Sequence, residues 1–89
     1  MFFIYIIESE VNGSYYIGQT NNLEERLQRH NQCRNRSTKS YAPWKLLHYQ
    51  VYETRSEAMK VESYLKSLKK RTLIQKWIED QYRGVAQPG

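Results

Sequence analysis

Eighty-nine residues with 14 Lys or Arg against 9 Asp or Glu, a formal charge of +5, suit one small basic domain whose core is marginal but adequate without staples. Cys33 is the only cysteine, which excludes an intramolecular disulfide and a cysteine-based zinc site; it reads as a reduced bystander in a loop. The longest apolar run falls far short of a membrane span and the N-terminus lacks a signal peptide's charged region and cleavage site, so no membrane contact and a cytoplasmic location are expected.

Phe2 to Ser9 is apolar on both faces and rich in aromatic and β-branched residues, as a buried strand should be. Tyr15 to Gly18 reads as its antiparallel partner, with Asn12-Gly13 supplying the turn. A two-residue loop places Ser9 opposite Tyr16, whereas a four-residue loop places Ile7 opposite Tyr16 and Tyr5 opposite Gly18. In either register Tyr5, Tyr16 and Gly18 share a face. Two phenols beside a position without a side chain make a surface that a phosphate or hydrated metal can approach closely, although tyrosines in strands also serve as ordinary packing.

A helix starts next. Asn21 or Asn22 is a suitable N-cap, Glu24 and Glu25 suit the first turn, and Leu23 and Leu27 give an inward stripe. At about 100° per residue His30 falls close to that stripe, with Arg26 its neighbour one turn earlier. A guanidinium and an imidazole therefore sit together beside the core.

From Arg26 to Lys45 there are six basic residues, Arg26, Arg29, Arg34, Arg36, Lys39 and Lys45, and no Asp or Glu, an electrostatic footprint for polyanions. Asn31 to Ser40 reads as a mobile loop, and Tyr41 and Trp44 bracket Pro43 at its end. Aromatics among cations can stack bases while the charges track phosphates; the other reading of Trp44 is a core residue.

Lys45 to Tyr52 resembles a third strand, with Leu47, Tyr49 and Val51 on one face and Leu46, His48 and Gln50 on the other; His48 reads as structural. Thr54 and Glu57 form a capping box that opens a second helix with the stripe Ala58, Val61, Leu65 and Leu68. Glu62 lies at the border of that stripe, where a carboxylate needs a cation: a hard divalent ion or the Arg26 guanidinium would each serve. A last helix around Thr72 to Asp80 turns Leu73, Ile74, Trp77 and Ile78 inward. Before it, Lys66, Lys69, Lys70 and Arg71 form a second basic cluster that can extend a phosphate track. Residues 83–89, with Gly84, Pro88 and Gly89, read as a disordered tail.

Phe3-Ile4-Tyr5, then Tyr16-Ile17-Gly18, Arg26, His30 and Glu62, in this order and spacing, resemble the GIY-YIG nuclease superfamily over residues 2–80, and most closely its small stand-alone bacterial members, similar to the incision domain of the nucleotide-excision-repair subunit. The chain departs from the pattern in Phe3, where the first motif opens on glycine, and in Gln19, where repair-type members often carry lysine. No Asn follows Glu62, although some larger members have one.

The resemblance implies an α+β domain, a small three-stranded antiparallel sheet flanked by about three helices. It implies a DNA endonuclease that uses magnesium, or manganese in its place, and leaves 5′-phosphate and 3′-hydroxyl ends. Tyr5, aided by Tyr16 or His30, would act as general base, Arg26 would stabilise the pentavalent transition state, and Glu62 would hold the metal. Arg29, Arg34, Arg36, Lys39, Lys45, Lys66, Lys69 and Lys70 are the expected nucleic-acid contacts. DNA is the expected partner, with RNA and a protein partner for targeting left open, and the missing targeting domain favours low intrinsic specificity. The rival reading is a nucleic-acid-binding module that kept the fold with little activity of its own.

Overall fold

The computed structural model describes residues 1–32 and 38–86, with side chains through Gln81. Strands β1 (Phe2–Ser9) and β2 (Tyr15–Thr20) are followed by helix α1 (Leu23–Asn31), a short 3-10 turn (Lys39–Tyr41), strand β3 (Trp44–Tyr52) and helices α2 (Arg55–Leu68) and α3 (Arg71–Ala86). The sheet is antiparallel throughout in the order β2-β1-β3. This is the expected α+β architecture.

The double-faced apolar character of β1 follows from its central place. Ile4 and Ile6 face a core built with Ile17, Ala58, Leu65 and Ile74, to which Val61, Leu68, Trp77 and Ile78 add from α2 and α3. Tyr5 and Ile7 face a second cluster with Trp44, lined by Tyr16, Leu23 and Leu27, which brings α1 to the other side of the sheet. The hairpin adopts the longer of the two expected loops: Ser9 N–H donates to the Ser14 carbonyl at 2.8 Å, Gly13 takes φ 76°, and Tyr5 pairs with Gly18 and Ile7 with Tyr16.

Three sequence expectations need correction. The alternation in β3 breaks at a β-bulge: Ile6 pairs with His48 but Ile7 with Leu46, so the extra residue Leu47 joins the Ile4 core instead of sharing a face with Tyr49 and Val51. In α3, Leu73 is exposed at 43 %, while Ile74 is buried and Trp77 and Ile78 pack against the core. Helix α3 also runs to Ala86, so residues 83–86 are helical instead of tail, and 87–89 lie outside the described residues. No helix among the described residues is long and apolar enough to cross a membrane.

The start of α2 is capped as expected. Thr54 Oγ1 accepts from the Glu57 N–H at 3.2 Å and donates to the Glu57 carboxylate at 3.0 Å. Its end is fixed by Lys69 in the left-handed region at φ 58°, a position more often taken by glycine.

Candidate active site

Pairing Tyr5 with Gly18 lays the phenol directly over the neighbouring strand. A methyl group built on Gly18 would overlap Tyr5 Cζ and Oη and come within 2.9 Å of Cε1. Gly18 does not have a positive φ, so it is required here for close approach and not for backbone freedom. Tyr5 has 0 % of its surface exposed, and its hydroxyl lies 2.9 Å from His30 Nε2.

His30 reaches that position because α1 is fixed at both ends. Asn22 Oδ1 accepts from Glu25 N–H at 3.1 Å at the start, Leu23 and Leu27 enter the second core cluster, and the stripe delivers the next turn to the sheet. At the far end Asn31 clamps the backbone of Trp44, donating from Nδ2 to its carbonyl at 3.1 Å and accepting its N–H at 2.6 Å. The His30 ring, fully buried, lies 2.7 Å by Nδ1 from Thr38 Oγ1; Thr38, itself buried, accepts the Trp44 indole N–H at its carbonyl at 2.9 Å. Tyr16 stands edge-on to His30, with centroids 5.0 Å apart, and to Trp44 at 6.3 Å. It remains partly exposed, and its hydroxyl has no hydrogen-bond partner among the described residues.

Burial governs the protonation states. It pushes the Tyr5 phenol up to about 12, with the Tyr16 phenol adding to the rise and the Arg26 guanidinium opposing it. Burial also lowers the His30 imidazole, as do the charges of Arg26 and Arg29. Both groups are therefore neutral near pH 7. With the phenol protonated, Tyr5 O–H donates to Nε2 and Nδ1–H donates to Thr38 Oγ1, a tautomer assigned from the bonding pattern. Arg26 is half-buried, and its Nε is buried without a partner among the described residues. An unmet buried donor costs about 1–3 kcal/mol, a penalty that an anion at this position would offset.

The structure thus brings Tyr5, Tyr16 and His30 together with Arg26 beside them. Glu62 comes from α2 and raises the Tyr5 phenol through its charge. Of the two cations that would serve it, Arg26 makes no ion pair with it among the described residues; Lys66, one turn along the same helix, pairs with it at 3.1 Å, with 22 % of the Glu62 side chain exposed. No group of three or more His, Cys, Asp or Glu forms a metal cluster among the described residues. A partly exposed carboxylate fits a magnesium ion, which keeps several waters and takes one or two carboxylates; the Lys66 ammonium would have to yield.

The basic residues divide by their engagements. Arg29 pairs with Glu25 at 2.8 Å, and Lys45 with Glu8 at 3.5 Å. Glu8 also holds Arg71 at 2.7 Å, whose guanidinium lies over the Tyr15 ring at 4.9 Å. Lys39, Lys66, Lys69 and Lys70 are exposed, while Arg34, Arg36 and Cys33 lie outside the described residues. Trp44 is 5 % exposed and bonded internally, which rules out the base-stacking role, whereas Tyr41 is 42 % exposed. Thr38 and Asn31, read as parts of a mobile loop, belong to the framework that holds His30. A polar residue among many gives no sequence signal for such a role.

Residues 1–76 match the family described as the GIY-YIG catalytic domain. A UPF0213 protein of Clostridium perfringens is 36 % identical over 76 residues, covering 84 % of this chain and 81 % of the relative. Another, of Listeria welshimeri, is 39 % identical over 70 residues, covering 78 % and 77 %. The solution NMR structure of a UPF0213 protein from Bacillus halodurans superposes with a TM-score of 0.52 at 25 % identity, covering 97 % of this chain and 86 % of that one.

Proposed function

The chain belongs to the GIY-YIG nuclease superfamily, and on that premise we propose that it is a metal-dependent endonuclease hydrolysing DNA phosphodiester bonds, directed by substrate structure with low sequence specificity. The observation that carries this reading is the half-buried Arg26, with its unmet Nε, beside a neutral, hydrogen-bonded Tyr5–His30 pair and a partly exposed Tyr16. A guanidinium in this position can grip two phosphate oxygens and favour the charge that grows on them in the transition state.

Tyr16 is the phenol that faces the substrate; having first released its own proton to solvent, its phenolate takes the proton of the attacking water. Tyr5 is the poorer base of the two: it has no exposed surface, and burial pushes its phenol up to about 12. Tyr5 instead holds His30 and, through its packing over Gly18, fixes the floor against which Tyr16 and Arg26 are set. Glu62 would hold a magnesium or manganese ion. When bound, that ion supplies Lewis-acid polarisation of the phosphate and charge for the leaving oxygen.

The ion pair between Glu62 and Lys66 favours a second reading, a nucleic-acid-binding module in which the carboxylate is permanently engaged. Incubating the chain with labelled branched, single-stranded and duplex DNA, and with RNA, separates the two. Cleavage that needs magnesium or manganese and stops with a chelator supports the nuclease. Binding without cleavage on every substrate supports the module.

A further inference from the structure

Where β2 ends and α2 begins, a polar depression of about 220 Å³ is lined by Phe2, Gln19, Thr20, Asn21, Arg26 and Arg55. None of the six is acidic and two carry guanidinium groups. Arg26 comes from α1 and Arg55 from α2, so the depression joins the two sides of the sheet across the outer edge of β2. The α2 side is tied to the strand by Gln19, whose Nε2 donates to the Arg55 carbonyl at 3.4 Å.

Arg55 is poorly explained by its own helix. It opens α2, where the macrodipole favours acidic side chains and opposes a cation. It is exposed and has no ion-pair partner among the described residues. Across the depression lies Arg26, with its buried unmet Nε. Beyond Arg55 the surface continues over Ser56, Met59, Lys60 and Ser63, also without an acidic residue.

We propose that this depression is a second phosphate subsite: Arg26 holds the phosphate being cleaved and Arg55 holds its neighbour on the same strand. The inference rests on the nuclease reading of the site and sharpens its substrate class. The preferred ligand is a nucleic-acid chain presenting at least two consecutive phosphodiesters, crossing the end of β2 from α1 towards α2.

Binding of the full chain to short fluorescent single-stranded oligonucleotides, in chelator and at several salt concentrations, tests it without any turnover. Arg55→Ala should weaken affinity about tenfold, the scale of one charge-assisted contact. Its plot of log affinity against log salt should be shallower by about 0.7, the loss expected per phosphate contact on a single strand. Arg55→Gln should behave like Arg55→Ala, and Arg55→Lys should recover the slope. An oligonucleotide whose phosphate beside the cleaved one is replaced by an uncharged methylphosphonate should bind the wild type more weakly and Arg55→Ala no more weakly than the unmodified strand. Melting temperatures should hold or rise slightly, because the Gln19 contact reaches only backbone and a cation leaves the start of the helix. Wild-type affinity and slope in Arg55→Ala, or an equal methylphosphonate penalty in both proteins, would overturn the subsite. A wild-type chain that binds strands and cleaves none would overturn the nuclease reading, while a lost slope in Arg55→Ala would still support the phosphate contact.

Discussion

Gly18→Ala separates an ordinary strand glycine from one that makes room for the buried Tyr5 ring, because the two predict opposite signs. Glycine inside a strand costs about 0.5–1 kcal/mol relative to alanine, so with free space above it the substitution would stabilise the fold. The space is taken. The new methyl would overlap Tyr5 Cζ and Oη, and Tyr5 has no exposed surface through which to escape; it is packed in a cluster with Ile7, Trp44, Tyr16, Leu23 and Leu27. Overpacking of a well-filled core costs about 1–3 kcal/mol and loss of the bond to His30 about 0.5–1.5 kcal/mol. Less the backbone gain, a net destabilisation of about 0.5–4 kcal/mol is expected. At roughly 4–8 °C per kcal/mol for a chain of this size, the melting temperature should fall on the order of 10 °C. Urea and thermal melts followed by circular dichroism measure it. The same substitution in a Tyr5→Leu background should cost far less, since the overlapping atoms are gone, and the difference is the coupling between the two positions. A Gly18→Ala protein that melts at or above the wild-type temperature would refute the close approach.

Tyr16→Phe should lower the single-turnover cleavage rate by roughly 10²-fold or more with little change in stability, the size of a lost acid–base group. Tyr5→Phe should instead destabilise the fold by about 1 kcal/mol, because it strips a buried partner from His30 Nε2; equal melting temperatures for wild type and Tyr5→Phe would contradict the bond. Arg26→Lys keeps the charge but loses the planar fork, so its rate should fall substantially in the same assay. His30 titrates below its ordinary value of 6.5, so on acidification the unfolded chain takes up a proton that the buried imidazole refuses. Unfolding free energy should therefore be level above about pH 7.5 and decline as pH falls through 6.5 towards the lowered native value, and His30→Gln should lose that decline in urea titrations.

Much of this arrangement is legible in the residues. The two-faced apolar run of β1 marks a central strand, the Asn12-Gly13 turn limits the register to two choices that agree on which side chains share a face, and the Leu23–Leu27 stripe delivers His30 to the sheet. What escapes depends on single long-range choices that no periodicity records. One extra residue at Leu47 turns half of β3 over, and Gly84 reads as a breaker although α3 continues through it to Ala86. Trp44 carries equal signals for stacking and for burial, and Asn31 decides the matter by fixing its backbone. Spacing places Glu62 at the edge of the α2 stripe but does not reveal that Lys66, one turn away, takes its charge. The exposure of a phenol is likewise a tertiary property, so the division of roles between Tyr5 and Tyr16 becomes visible only when Gly18 and His30 enclose the first of them.

The most direct test is cleavage and binding measured side by side for wild type and Glu62→Gln on the same labelled branched DNA, with magnesium and with chelator. The substitution keeps the shape of the side chain and removes the charge that would hold the ion, while the phosphate-facing cations stay in place. Magnesium-dependent cleavage should be seen with wild type and lost in Glu62→Gln, with affinity for the DNA in chelator equal to or above the wild-type value. A folded Glu62→Gln protein that cleaves at the wild-type rate would contradict the metal-dependent mechanism.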